Sequence, residues 1–204
     1  MFRYFLLFWM SGLQWNFNDA PVGGLPAGWQ TRGDSATPVY QIKINGDGNR
    51  YLAARSQRTD VQLGIQISAN PQEFPILAWQ WRVLELPRNA DERYLKTMDS
   101  AAAVYAVFSP RLVPRIIKYV WSTSVPAGTS FKHPKSGRMA IFVVNSGEKS
   151  LGQWQDVRRN LVEDYKQAFG SMPTNLIALG VKTDSDSTGS SAKADYDTIQ
   201  LTHE

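Results

Sequence analysis

The stretch Ala78-Trp79-Gln80-Trp81-Arg82-Val83 is the strongest indication of fold in this chain. Because side chains in a β-strand alternate between two faces, Trp79 and Trp81 would share one face and Arg82 would lie on the other. Two indoles on one face either fill the core of a large sandwich or form a platform for a flat ligand. The stretch predicts a strand and leaves open whether its tryptophans are buried.

Short apolar runs separated by turn residues recur on both sides of this strand, which is the spacing typical of an all-β sandwich. The predicted strands are residues 15–17, 39–44, 51–54, 61–67, 76–84, 102–108, 116–121, 138–145, 154–158, 175–182 and 196–201. Asn45-Gly46-Asp47-Gly48 predicts a hairpin turn. We therefore predict an all-β fold, a jelly-roll-like β-sandwich of two antiparallel sheets.

One short helix interrupts this pattern, at residues 161–169. Asn160 is a good N-cap, Glu163 follows three residues later as in a capping box, and Gly170 and Pro173 end the helix. A second short helix or irregular turn is expected within residues 90–99.

The length of 204 residues, with 43% hydrophobic and 12% aromatic residues, fits one β-sandwich domain over residues 13–204. Residues 1–12 form a possible signal or anchor segment, because Arg3 precedes an apolar run that is too short to span a bilayer as a helix. A truncated signal or a buried N-terminal strand are the alternatives. The segment predicts a periplasmic or secreted protein without a transmembrane span.

Composition excludes several kinds of chemistry. The chain has no cysteine, so thiolate catalysis, disulfides and cysteine-ligated zinc are impossible. The net charge of +4 is small and dispersed, which does not indicate nucleic acid as a partner. His133 and His203 are the only histidines, and both are expected to be exposed, so a Ser-His-Asp triad is not predicted.

Four carboxylates lie close together near the C-terminus, at Asp184, Asp186, Asp195 and Asp197. Alternating oxygen ligands suit calcium, but the segment lacks the glycine and glutamate offsets of an EF-hand. We expect a loop without a cofactor, partly neutralised by Lys182 and Lys193. If calcium binds, its candidate ligands are Asp184, Asp186 and Asp197.

The candidate ligand-binding residues combine aromatic surfaces with polar donors, which is the mixture that sugar rings require. Each has a structural alternative: the aromatic residues as core, Asn160 as a helix cap, and Arg159 paired with Asp164. The candidates are Trp79, Trp81, Arg82, Trp121, Trp154, Arg159, Asn160 and Asp164.

Several segments together resemble the bacterial domain-of-unknown-function family 3047. They include Leu25-Pro26-Ala27-Gly28-Trp29, the tryptophan strand, Asp99-Ser100-Ala101-Ala102, Lys118-Tyr119-Val120-Trp121, Leu151-Gly152-Gln153-Trp154 and Thr183-Asp184-Ser185-Asp186-Ser187-Thr188. The resemblance implies an exported bacterial protein without an established activity. More distantly, an N-terminal strand such as Trp15-Asn16-Phe17-Asn18 together with a last strand such as Tyr196-Asp197-Thr198-Ile199-Gln200-Leu201 resembles jelly-roll carbohydrate-binding modules in architecture.

The chain departs from the family ending, which has glycine and aspartate where Asp197 and Thr198 stand here. This departure weakens the case for an ion at that position.

The predicted function is an extracytoplasmic, noncatalytic binding protein, with carbohydrate as the expected partner. The alternatives are a glycan-active enzyme with paired carboxylates, and a structural or protein-interaction domain without a small ligand. The oligomeric state is not predicted.

Overall fold

A computed structural model describes residues 12–33, 35, 37–109 and 113–203. The predicted signal or anchor lies outside these residues, except for Gly12. The described strands are β1 (Leu13–Trp15), β2 (Gln30–Arg32), β3 (Tyr40–Ile44), β4 (Arg50–Gln57), β5 (Gln62–Ala69), β6 (Ile76–Glu85), β7 (Ala102–Phe108), β8 (Arg115–Ser122), β9 (Ser130–His133), β10 (Ser136–Ser146), β11 (Gln155–Asn160), β12 (Leu176–Lys182) and β13 (Ser191–Thr202). One α-helix, α1 (Leu161–Phe169), and a 3₁₀ turn (Leu95–Thr97) complete the described elements.

The strands form two sheets that pack face to face as a β-sandwich. Sheet A has the order β11-β6-β13-β4-β3, with β1 also paired to β13, and sheet B has the order β2-β5-β12-β7-β8-β10-β9. The predicted jelly-roll-like β-sandwich is confirmed. The predicted hairpin is also confirmed, since β3 pairs with β4 and the Asn45 side chain accepts backbone hydrogen bonds from Asp47 and Asn49 across the turn.

One strand pair departs from the predicted antiparallel arrangement, because β8 and β10 run parallel. The chain returns through β9, which pairs antiparallel with β10, so that β10 lies between β8 and β9. An alternating apolar pattern indicates a strand but not its neighbour, which is why the sequence did not reveal this pair. The short edge strands β2 and β9 were also missed, because they are three and four residues long and mainly polar.

The main core lies between the sheets and contains the aromatic residues of β6 and β8. Trp79 and Trp81 point into it from β6, and Tyr119 and Trp121 face them from β8. Helix α1 starts where predicted, with the Asn160 side chain accepting hydrogen bonds from the N–H groups of residues 162 and 163. Gly170 ends it in the left-handed conformation, at a φ of 67°.

A second, smaller apolar cluster lies on the outer face of sheet B, where Phe131 of β9 packs against it and Val125 of the preceding loop belongs to it. Its buried members are Ala103, Tyr105, Val120, Val125, Ile141 and Val143. The cluster covers the half of this face formed by β7, β8 and β10. A groove lies over the other half, on β2, β5 and β12, and extends onto the adjoining parts of β7 and β8.

Candidate ligand-binding groove

A cavity of about 800 Å³ lies on the outer face of sheet B. It continues into a second cavity of about 380 Å³ at one end of the strands, and the two share Arg32, Gln62, Tyr105 and Met139. We call the two together the groove, and the smaller part its charged end. The larger cavity has the size of a small-molecule site.

The sheet backbone is open in the middle of the groove because two neighbouring strands carry glycine there. Gly64 of β5 pairs with Gly180 of β12, which in turn pairs with Tyr105 of β7. A Cβ atom on Gly180 would lie 2.9 Å from Nε2 of Gln62, so the Gln62 amide lies across this glycine. The two glycines thus leave sheet backbone and one amide as the surface of the groove, where a ligand can approach closely.

Unpaired polar side chains line this surface from two strands. The amides of Gln30, Gln62 and Gln66 and the guanidinium of Arg32 all line the larger cavity. Within the described part of the chain, none of these four side chains has a hydrogen-bond or ion-pair partner. The apolar residues Val107, Ile116 and Met139 line the same cavity, so the lining mixes hydrogen-bonding groups with apolar surface.

At the charged end, the Lys182 ammonium lies between two carboxylates. It contacts an Oδ of Asp60 and lies 2.8 Å from Oδ2 of Asp184. The other oxygen of Asp184 accepts the Ser100 N–H at 2.9 Å. Burial alone would raise the pKa of Asp184, but Lys118 and Lys182 outweigh it and hold the pKa below the usual value.

Lys118 is the second lysine of the charged end, and it is buried at 3% exposure. Its ammonium donates to Oγ of Ser100 at 3.0 Å and lies 5.6 Å from the centre of the Tyr105 ring. Burial acts to lower its pKa, but Tyr105, Asp184 and Glu92 outweigh this and raise it, so Lys118 is charged at neutral pH. No described carboxylate forms an ion pair with it.

Glu92 lies behind the groove and is fully buried. Its Oε2 accepts from Oγ of Ser122 at 2.6 Å, while Oε1 has no partner among the described groups. Burial raises the pKa of Glu92, and the Ser122 hydrogen bond and the Lys118 charge only partly oppose this. A buried carboxyl with one unbonded oxygen is costly, and Lys118 is the cation that offsets it.

His133 also lines the charged end and is half-buried, not exposed as expected. Its Nδ1 accepts the Lys135 N–H at 3.1 Å, which leaves Nε2 as the donor of the neutral ring. Burial lowers the pKa of His133, and the charges of Lys118, Lys135 and Lys182 lower it further. The ring is therefore neutral at pH 7.

Of the two alternatives for the tryptophans of β6 and β8, core or platform, the structure has the core, so these candidates do not line a ligand site. Trp79, Trp81 and Trp121 are each exposed by 1% or less, so their ring faces are covered by other side chains and cannot stack on a ligand. The indole N–H of Trp81 donates to Asn145 and that of Trp121 to the Gly147 carbonyl. These large apolar side chains are buried because they lie on the inner faces of the two sheets, where the sheets pack against each other.

Arg82 and Trp154 lie on the outer face of sheet A, on the opposite side of the molecule from the groove. The Arg82 guanidinium is 4.8 Å from the centre of the Trp154 ring, and Tyr51 packs edge-on to the same ring at 5.9 Å. Arg82 also donates to Asp195, which is shared with Arg55. The indole is half-buried. Ligand binding at these two residues is still a prediction.

Arg159, Asn160 and Asp164 make structural contacts at the start of α1. Asn160 is the cap, and Nε of Arg159 donates to Oδ2 of the buried Asp164 at 2.9 Å. The same carboxylate accepts from the Tyr119 hydroxyl at 2.8 Å. All three polar groups are satisfied within the fold and none lines the groove, so the predicted ligand role has no support here.

The candidate calcium ligands are divided between two places. Asp184 and Asp186 lie near Asp60, with carboxylate oxygens of all three within 4.8 Å of one another. Asp197 is not part of this group, because it lies on β13 and accepts a 2.7 Å hydrogen bond from Asn49. Within the group, the Lys182 ammonium already contacts two of the carboxylates, which is the position that a cation would take.

Sequence reasoning missed Lys118, Gln62 and Tyr105 as groove residues. Each is an ordinary member of an alternating strand, and only the order of the strands in sheet B brings them together. A signal was present in the segments that carry the family resemblance, because Ser100, Lys118 and Asp184 from three of them are joined by hydrogen bonds at the charged end. That signal identified a family, not a site.

The protein is a β-sandwich with an open groove of mixed polar and apolar lining on the outer face of one sheet. The chain belongs to DUF3047, a family of proteins of unknown function, whose model matches residues 27–200. No curated protein is significantly similar to it in sequence.

Solved structures with a related arrangement include carbohydrate-binding modules and an adhesin domain. One is the xylan-binding CBM22-2 domain of Xyn10C from Paenibacillus barcinonensis, with a TM-score of 0.45 at 12% identity, covering 93% of this chain and 98% of that one. A cleaved adhesin domain of Lys-gingipain from Porphyromonas gingivalis has a TM-score of 0.43 at 12% identity, with coverages of 93% and 98%. The xylan-binding module CBM15 has a TM-score of 0.39 at 12% identity, with coverages of 94% and 96%.

Fold does not dictate function, so the ligand has to be argued from the side chains of this chain. Among the described helices, none is long and apolar enough to cross a membrane.

Proposed function

We propose that this protein is a noncatalytic binding domain that takes a carbohydrate in the groove of sheet B. The observation that carries the proposal is the lining of the larger cavity. The free amides of Gln30, Gln62 and Gln66 line a cavity of about 800 Å³ together with apolar side chains. Sugar rings present both hydroxyl groups and apolar C–H faces, and this lining matches both.

The groove favours binding over catalysis because its carboxylates are already engaged. Asp60 and Asp184 both contact the Lys182 ammonium, and Asp184 also accepts the Ser100 N–H. A glycosidase needs one carboxyl group free to donate a proton and a second free to act as base or nucleophile. Two carboxylates held by one cation support neither role.

The test is a glycan array followed by calorimetry on groove variants. We expect at least one oligosaccharide class to bind, and we expect Gln66→Leu to weaken it about tenfold, since each lost hydrogen bond to the ligand costs about 1 to 1.5 kcal/mol. The control is Trp154→Ala, which removes the half-buried indole on the opposite sheet and leaves groove binding unchanged.

The array distinguishes the two faces of the molecule. If Trp154→Ala abolishes binding while Gln66→Leu does not, the ligand site is the aromatic cluster of Arg82 and Trp154, and the groove assignment fails. If no glycan binds, the carbohydrate proposal itself fails.

The proposed location is extracytoplasmic, periplasmic or secreted. The support is the basic start and apolar run of residues 1–10, which have the layout of a secretory signal. N-terminal sequencing of the protein from its native host tests this. Loss of the apolar run would support export, and an intact Met1 on protein from the cytoplasmic fraction would contradict it.

A further inference from the structure

We infer that the charged end of the groove binds a carboxylate, so that the ligand is an acidic sugar, with a uronate residue held by Lys118. This inference rests on the proposed carbohydrate function and names the class of sugar. It is carried by a buried ammonium that lines the cavity, makes one described hydrogen bond and has no described carboxylate within ion-pair distance.

Lys118 is nine-tenths buried or more, yet its ammonium makes one described hydrogen bond, to Oγ of Ser100. An ammonium has three N–H donors, so two remain to be satisfied. The neighbouring Lys182 is different, since its ammonium contacts the carboxylates of both Asp60 and Asp184. Asp184 and Glu92 act on the Lys118 charge from a distance and form no ion pair with it. A carboxylate that enters the cavity would accept from the free N–H donors and bring a counter-ion into direct contact with the ammonium.

The other groups around this cavity are donors suited to the same ligand. The Tyr105 side chain and the neutral His133 ring line the charged end, together with the Gln62 amide and the Arg32 guanidinium. The Tyr105 hydroxyl has no described hydrogen-bond partner, and His133 offers its Nε2–H because Nδ1 is already occupied. Oxygen atoms of a carboxylate and of ring hydroxyls accept from groups of these kinds.

The distribution of charge favours a ligand with a single negative charge. Of the cations that line the charged end, Lys182 contacts both lining carboxylates, Asp60 and Asp184, whereas Lys118 and Arg32 have no ion pair among the described residues. Further carboxyl groups lie close by, at Asp186 and Glu92. A phosphate monoester, with nearly two negative charges at neutral pH, would meet the two aspartates at the same cavity. A uronate carries one charge and also has the ring that the larger cavity accommodates.

The experiment compares galacturonate oligosaccharides with the methyl esters of the same oligosaccharides, by calorimetry on the full chain. Esterification removes the charge and keeps the ring, the linkage and the length. We expect the acid to bind at least tenfold more tightly than the ester. A glutamate oligopeptide of equal charge is the third ligand and is expected not to bind, because it lacks the ring.

Variants separate a specific contact from general attraction to a basic protein. Lys118→Met removes the proposed anchor and is expected to weaken acid binding at least tenfold while leaving ester binding unchanged. Lys193→Met is the matched control, since it loses the same charge at a half-exposed lysine on the outside of sheet A. Arg32→Gln, at an exposed residue of the groove, is the second test in case Lys118→Met does not fold.

Equal binding of acid and ester, or equal losses in Lys118→Met and Lys193→Met, would overturn the uronate inference and leave the carbohydrate proposal in place. If Lys118→Met does not fold, unchanged acid binding in Arg32→Gln overturns the inference. Tighter binding of the peptide than of the sugar acid overturns it in favour of a protein partner. If neutral and acidic glycans alike fail to bind, the proposed function fails and the inference fails with it.

Discussion

Trp79 and Trp81 pack edge to face in the core, with ring centres 5.3 Å apart and planes at 80°. They are two residues apart on β6 and point to the same side of sheet A, so each buries its indole against sheet B. Edge-to-face pairs of this kind add to the free energy of burial. The pair stabilises the sandwich, and neither ring face is accessible to a ligand.

Replacing Trp81 by alanine is expected to lower the free energy of unfolding by about 3 to 5 kcal/mol, because it opens a large cavity between the sheets. Urea unfolding monitored by circular dichroism measures this. Trp154→Ala is the control, since its indole is half-buried on the outer face, and its cost should be clearly smaller. Equal costs would contradict the division into core and surface tryptophans.

Asp195 is the second site where a single change should be costly. Its side chain is fully buried and accepts from Arg55 at 2.8 Å and from Arg82 at 2.6 Å. Asp195→Asn is expected to cost about 2 to 3 kcal/mol, because hydrogen bonds to charged groups are lost and both guanidinium groups lose their counter-ion.

The matched control for Asp195 is Glu85→Gln, which breaks the exposed pair with Lys193. Exposed pairs contribute about 0 to 1 kcal/mol, so this variant should unfold close to the wild type. Chemical unfolding of both variants at pH 7 gives the comparison. A larger loss in Glu85→Gln than in Asp195→Asn would show that burial does not govern these ion pairs.

The titration of Glu92 is expected to lower the free energy of unfolding as the pH rises. Burial raises its pKa in the folded chain above the ordinary value of 4.5, so the unfolded chain loses this proton at a lower pH than the folded chain does. The contribution of Glu92 to the free energy of unfolding is therefore complete at a pH below its pKa in the unfolded chain. It is lost as the pH rises through the pKa of Glu92 in the folded chain.

Glu92→Gln removes this titration and keeps the shape of the side chain. The difference in unfolding free energy between the variant and the wild type is expected to move in favour of the variant as the pH rises from 4.5. Thermal melts at several pH values measure this difference. A constant difference across the series would mean that Glu92 does not titrate differently in the two states.

Calcium is expected not to change the melting temperature. The Lys182 ammonium already lies between Asp60 and Asp184, so a calcium ion at the three carboxylates would have to displace it. A bound ion would raise the melting temperature in a saturable way, by mass action. A saturable rise in chelator-treated protein that disappears in Asp184→Asn would contradict this prediction.

Local sequence was sufficient for the elements and the class of fold. The alternation around Trp79 and Trp81 predicted a strand with both indoles on one face, and the cap at Asn160 with Gly170 predicted the helix. These features depend on residues that are neighbours in the chain, where strand periodicity and helix capping act over a few positions. The family, too, was identified from short segments.

Only the tertiary structure decided which of these residues are available to a ligand. Trp79, Trp81 and Trp121 are buried because the two sheets pack together at these residues. The groove forms because β2, β5, β12, β7 and β8 are neighbours in sheet B. Lys118 and Asp184 are 66 positions apart in the numbering, yet both line the charged end. Strand order is set by packing between distant segments, and the pattern within each strand does not encode its neighbour.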